Sequence, residues 1–207
     1  MGDIKFNNLN EGHLDALSEV GNIGAGNANT ALSQMLNKRI DMDVPSVKIA
    51  DFDEVSGVLG GAENLIVGIL VNVKGDINGM MIVAIEKSSA HKLVNMLMGQ
   101  ELNELDGFTQ MDLSALCEIG NILASSYLSS LSAMTGLAME PSIPHLAIDM
   151  AGAILSVPAI ELGKVDDRVL LIKNEFLEGG ESVMGNYILL PDPPSFNKIL
   201  TSLGAAE

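Results

Sequence analysis

Apolar positions along this chain follow two periods, one helical and one alternating, and the two regimes occur twice over. From Leu14 to about Asn37, and again from Leu113 to about Gly136, leucine, isoleucine, valine and alanine recur at helical spacing, which predicts two long helices. Asn10 suits the N-cap of the first and Thr109 that of the second. Between them LIVGILVNV (65–73) and NGMMIVAIE (78–86) are rich in β-branched residues and are joined by Lys74-Gly75-Asp76-Ile77, which predicts a hairpin. SSAHKLVNMLMG then predicts a short helix ending near Gly99. A second hairpin follows in RVLLIKNEFL (168–177) and ESVMGNYILL (181–190), and a second short helix in SFNKILTSLG (195–204).

The recurrence extends to single residues. A shift of 99 positions sets LDALSEVGNI (14–23) on LSALCEIGNI (113–122), with seven of ten residues identical. The register runs on through Ala25/Ala124, Leu32/Leu131, Ser33/Ser132 and Met35/Met134 to Pro45/Pro144 without a gap. Lys92/Lys198 and Leu97/Leu203 match at a shift of 106, so seven residues enter the second copy in between. Each half (about 8–99 and 107–204) reads as long helix, proline-led extended segment, hairpin and short helix. Hairpin-joined strands make an antiparallel sheet, so the expected class is α+β: an internally duplicated chain whose sheet packs against the two long helices and the shorter ones. Two independent domains are the alternative. A shared core is preferred because no Gly/Ser/Pro-rich linker divides the halves, and GQELNELDGFTQ (99–110) reads as a surface connection.

On the first long helix Asp15, Glu19 and Asn22 stand at i, i+4 and i+7 and form one polar stripe. Ser114, Glu118 and Asn121 form the equivalent stripe on the second. Leu14, Leu17, Val20 and Ile23 suit the core-facing side. In a single copy such a stripe would be read as solvated decoration. Two copies with the same spacing and the same downstream proline argue for a site. A carboxamide can accept from a water and donate to a substrate oxygen, the water-orienting role that glutamine plays in some nucleotide hydrolases. A carboxylate beside it can pair with a lysine on a docked partner. No Ser-His or Cys-His pair accompanies them, so a nucleophilic site is not expected. Gly21, Gly24 and Gly26 each weaken the first helix by up to ~1 kcal/mol against alanine, and close approach of another element or of a partner would explain them.

Composition narrows the classes. Hydrophobic residues make up 47% of the 207 positions, enough for a sizeable core, but aromatics are only 3% and Trp is absent. A net charge of −16 argues against nucleic acid and anionic membrane surfaces. One cysteine, Cys117, allows no intrachain disulfide, and the apolar stretch from Leu146 to Ile160 is too short and too interrupted to span a bilayer, so a cytoplasmic protein is expected. His13, His91 and His145 lack metal-ligand spacing, so no metal of its own is expected. GNIGAG follows a helix rather than a strand and is not read as a phosphate loop. Cys117, whose mate is Ser18, and the paired methionines Met80 and Met81 read as packing residues.

Asp15, Glu19, Asn22 and Pro45, and again Ser114, Glu118, Asn121 and Pro144, fit the pattern Asp/Ser, three residues, Glu, two residues, Asn, twenty-two residues, Pro. In this the chain resembles the CheC/CheX/FliY family of bacterial and archaeal chemotaxis phosphatases. Two motifs per chain point within it to the CheC branch rather than to CheX, which has one, or to FliY, which adds flagellar-switch segments. The resemblance implies hydrolysis of the aspartyl phosphate on the response regulator CheY, with Mg²⁺ carried by the regulator. Asn22 and Asn121 would position water and Glu19 and Glu118 would pair with the regulator's lysine. Pro45 and Pro144 would fix where the extended segment leaves the helix, with Asp15 and Ser114 in support. It also implies the receptor deamidase CheD as a partner. HLAIDMAGAIL (145–155) is read as a helical stretch resembling the family's CheD-docking helix, with Asp149 the residue to test; a buried helix with one exposed acid is the other reading. A monomer is expected, since the chain already supplies two equivalent units. The rival functions are a non-enzymatic adaptor that sequesters CheD or docks CheY, and a flagellar-switch component.

Overall fold

The computed structural model describes residues 11–99, 107–162, 168–178 and 181–203. The proposed cap Asn10 and most of the connection between the halves lie outside these residues. The first helix, α1 (Glu11–Leu36), ends where Asn37 turns left-handed at φ 48°. Next come β1 (Asp41–Met42), β2 (Ser46–Asp51), α2 (Phe52–Val58), β3 (Leu65–Gly75), β4 (Gly79–Glu86) and α3 (Lys87–Met98). The second long helix, α4 (Gln110–Thr135), opens on a capping box: Asp112 N–H donates to Thr109 Oγ1 at 3.3 Å, and Thr109 N–H donates to Asp112 Oδ2 at 2.7 Å. It closes on left-handed Gly136, the mate of Asn37. The same order then repeats in β5 (Met139–Pro141), β6 (His145–Met150), α5 (Ala151–Leu162), β7 (Arg168–Glu178), β8 (Glu181–Pro191) and α6 (Pro193–Ser202). The α+β class expected from the pattern is the one observed.

Among the described residues all strands join one antiparallel sheet of eight strands in the order β1-β7-β8-β4-β3-β5, with β2 also on β7 and β6 also on β3. The path reads the same from either end when the halves are exchanged. Its middle is the β4–β8 pair, where Ile82 faces Ile188 and Val83 faces Tyr187. Each proline-led strand leaves its own half and pairs with the hairpin of the other: Val47 of β2 faces Ile172 of β7, and its mate Leu146 of β6 faces Ile69 of β3. Those pairings put the second hairpin 103 positions after the first, so four of the seven inserted residues fall between β6 and β7, where α5 (12 residues) outgrows α2 (7 residues).

Alternation along the strands divides the apolar residues between two faces. Val67, Ile69, Val71, Val83, Ile172 and Tyr187 join Leu17, Leu32, Leu116 and Leu131 in one cluster under the long helices, with α3 and α6 filling its ends. Ile66, Ile82, Leu171 and Ile188 face the other way, onto Val55 and Leu59 at α2 and Ile154 and Leu155 of α5. Met80 and Met81 are fully buried, one in each cluster, as packing residues.

Two sequence expectations are corrected here. His145–Met150 is not helical but forms β6, and only from Ala151 does the chain coil into α5. Asp149 therefore sits on an exposed edge strand opposite Ile66, its carboxylate accepting from the N–H of Met150 at 2.8 Å. The run HLAIDM is made of residues at home in either state, and pairing with β3 decides it. Nor do all four apolar residues of the first motif face the core. Leu17 and Val20 are buried, but Leu14 and Ile23 are 40% and 39% exposed. At about 100° per residue each lies roughly a quarter-turn from the centre of the buried face, so they form its rims.

Candidate functional site

The sequence of α1 explains why its polar stripe is next to the Pro45 segment. Gly21, between Glu19 and Asn22, carries no side chain, and β2 closes on it: a Cβ there would stand 2.5 Å from Val47 Cγ2 and 4.0 Å from Pro45 Cγ. One turn on, Gly24 takes the ring of Tyr127 from α4, which would lie 2.4 Å from an added Cβ. Close approach accounts for these two glycines. Gly26 has nothing within 4 Å of its missing Cβ, and nothing in the structure explains it. Asp15, Glu19 and Asn22 are all exposed.

The second stripe lies over a hollow. Ser114, Cys117, Glu118 and Asn121 line it from α4, and Ser142, Ile143 and Pro144 from the strand side, around an open volume of about 560 Å³. All four motif residues of the second copy thus converge on one concavity. Two further tethers hold its walls: Cys117 Sγ lies 3.8 Å from the carbonyl of Pro144, and Ser142 Oγ accepts from the N–H of Asn72 at 3.0 Å on β3. Gly120, the mate of Gly21, makes room for Ile69 of β3, 2.4 Å from where its Cβ would be.

The Cys117 thiol is pushed above its ordinary range, first by burial and then by the neighbouring Glu118 carboxylate. It therefore stays protonated near neutrality and is a poor nucleophile, in keeping with its reading as a packing residue. Among the described residues no cluster of three His, Cys, Asp or Glu is arranged to hold a metal, and no helix is long and apolar enough to cross a membrane.

The two sites differ in charge. Asp15 of the first is Ser114 in the second, and Asp43, two residues before Pro45, is Ser142. Reading the motifs alone missed Val44 and Ile143, the residues just before the two prolines. The 99-residue shift pairs them and would have drawn attention to both.

The architecture is thus an α+β sheet protein with a Glu-x-x-Asn stripe on each long helix. A model of the CheC-like family matches residues 13–49, and one of the chemotaxis phosphatase CheX matches 67–159. The CheY-P phosphatase CheC of Bacillus subtilis (strain 168) is 36% identical over 97% of this chain and 98% of its own. The flagellar motor switch phosphatase FliY of the same organism is 28% identical over 96% of this chain and 50% of its own. Among solved structures, Thermotoga maritima FliY superposes with a TM-score of 0.76 at 21% identity, covering 97% of this chain and all of that one. The FliM middle domain of H. pylori gives 0.70 at 16% identity, covering 94% and 99%. This chain belongs to the CheC/CheX/FliY family.

Proposed function

We propose that this protein hydrolyses the aspartyl phosphate of a CheY-type response regulator, at two sites related by the internal repeat. The observation that carries the reading is the pair of solvent-facing Glu-x-x-Asn stripes, each beside its motif proline, in a chain 36% identical along 97% of its length to a protein named CheY-P phosphatase. The α1 and α4 stripes are open to a macromolecular partner, as a protein substrate requires.

In this mechanism Asn22 or Asn121 accepts from a water with its amide oxygen and donates through its amide nitrogen, holding the water in line with the phosphorus. Glu19 or Glu118 pairs with a lysine of the regulator, which anchors the complex and frees phosphate oxygens. Mg²⁺ bound to the regulator supplies the cationic charge, and this chain contributes none of its own ligands. Asp15 and Ser114 support the stripe, and Pro45 and Pro144 hold the strand entry against the helix. The protein works in the cytoplasm as a monomer, one domain of two pseudosymmetric halves.

CheD is proposed as a second partner at the exposed face of β6, with Asp149 as the contact. Asp149→Arg is expected to abolish a CheD pull-down while leaving phosphatase activity intact.

The main test is phosphate release from a phosphorylated regulator in a stopped reaction. Wild type accelerates decay, and Glu19→Ala/Asn22→Ala combined with Glu118→Ala/Asn121→Ala should lower that acceleration by about a hundredfold. Equal decay rates for the two proteins would overturn hydrolysis at these stripes.

A further inference from the structure

Among the described residues the two most exposed large apolar side chains are Val44, at 85%, and Ile143, at 82%. They are repeat-mates, separated by the same 99 positions that relate the catalytic stripes. Each stands immediately before a motif proline. Ile143 lines the same hollow as Glu118 and Asn121. Val44 precedes Pro45, whose ring packs beside Gly21, the neighbour of Asn22. Both mates thus keep an apolar side chain in water at the rim of a site, whereas of the other exposed large apolar residues, Ile160 at 77% among them, none adjoins a motif proline.

We propose that Val44 and Ile143 are docking pegs, each inserting into an apolar depression beside the phosphorylated aspartate of the protein substrate; this rests on the phosphatase reading above. Both are β-branched, so little rotamer freedom remains to be lost on binding. The proline that follows restricts the backbone of each peg to extended conformations. At Ile143 the carbonyl also accepts from Ser142 Oγ at 3.0 Å. A rigid apolar knob next to a polar stripe is the layout of a small interface, with an apolar anchor beside the groups that react. The occupant is the substrate because the pegs are continuous with the stripes that must meet it. The motif proline thereby gains a second role, holding the residue ahead of it out from the surface.

The pegs act on docking and not on water, so their loss is read in KM against kcat. In Val44→Ser/Ile143→Ser, KM for the phosphorylated regulator should rise about tenfold, the loss of one partly buried aliphatic side chain per site, with kcat unchanged. Asn22→Ala/Asn121→Ala should do the reverse, lowering kcat with little change in KM. Val44→Ile/Ile143→Val, which keeps both pegs apolar, should restore the wild-type KM. Because both side chains are exposed, the serine variant should keep the wild-type unfolding midpoint, which circular dichroism checks. Wild-type KM in the serine variant overturns the pegs and leaves the phosphatase reading standing. No acceleration of decay by the wild-type protein overturns both.

Discussion

The two stripes lie in ten-residue segments that share seven residues, yet they sit in different surroundings. At the second, four motif residues line a defined hollow whose wall is tied down through Cys117 and Ser142. At the first, the strand lies directly on the helix through Gly21, and two extra carboxylates, Asp15 and Asp43, stand where the second has serines. The helix interface diverged in a complementary way. Gly24 receives Tyr127, whereas their mates are Leu123 and Ala28, all within one core cluster or at its contact. A large residue on one helix is matched by a small one on the other, and the sizes are reversed at the mated pair. Packing was free to drift as long as volume was kept, while Glu, Asn, the proline and the apolar residue before it did not change in kind.

The sharpest way to break this comparison is to force the second half's packing on the first. Gly24→Leu places a side chain into the Tyr127 ring and should destabilise the protein by about 3 kcal/mol in urea unfolding. Adding Tyr127→Ala, which copies the Leu123/Ala28 arrangement, should recover part of that loss. Full recovery is not expected, because Tyr127 also takes a hydrogen bond from buried Asn174. A smaller effect tests the charge difference. An anionic phosphoryl group approaching the first site meets two more carboxylates than at the second. With the second site disabled by Asn121→Ala, Asp15→Ser/Asp43→Ser should therefore raise the remaining rate roughly two- to fivefold at low salt. The gain should shrink as added salt screens the charges, and a gain independent of salt would mean the carboxylates act in another way. Smallest is Gly26→Ala, at the one glycine of the long helices with open space around it. It should stabilise the protein by up to about 1 kcal/mol with no effect on phosphate release.

Much of this architecture was legible because the sequence says it twice. The long helices are legible from a helical period sustained over two dozen residues, and the hairpins from β-branched runs flanking a short glycine-containing connection. The β6 strand is not, because His145–Met150 is short, sits at a sheet edge and mixes Leu, Ala, Ile and Met without a decisive period. The repeat contained the answer: a shift of 99 lays it on Ser46–Asp51, a segment already read as extended. Helix α2 was missed for a similar reason. It is only seven residues long, and its strongest mark is Asp51, which caps it by accepting from the N–H of Glu54 at 2.7 Å. The motif residues could be listed from spacing alone. That Gly21 lets the strand reach the helix, and that Ile143 borders the second site, needed the third dimension.

The exchange of strands between halves has a consequence for synthesis. Strand β2 ends at Asp51, and the β7 strand it pairs with begins only at Arg168. At ribosomal rates of about 5–20 residues per second, Ser46–Asp51 therefore waits roughly 6–25 s after leaving the exit tunnel before its partner exists. During that interval the nascent chain carries an unpaired sheet edge, so this stretch is where a chaperone that captures emerging chains would find its first stable target.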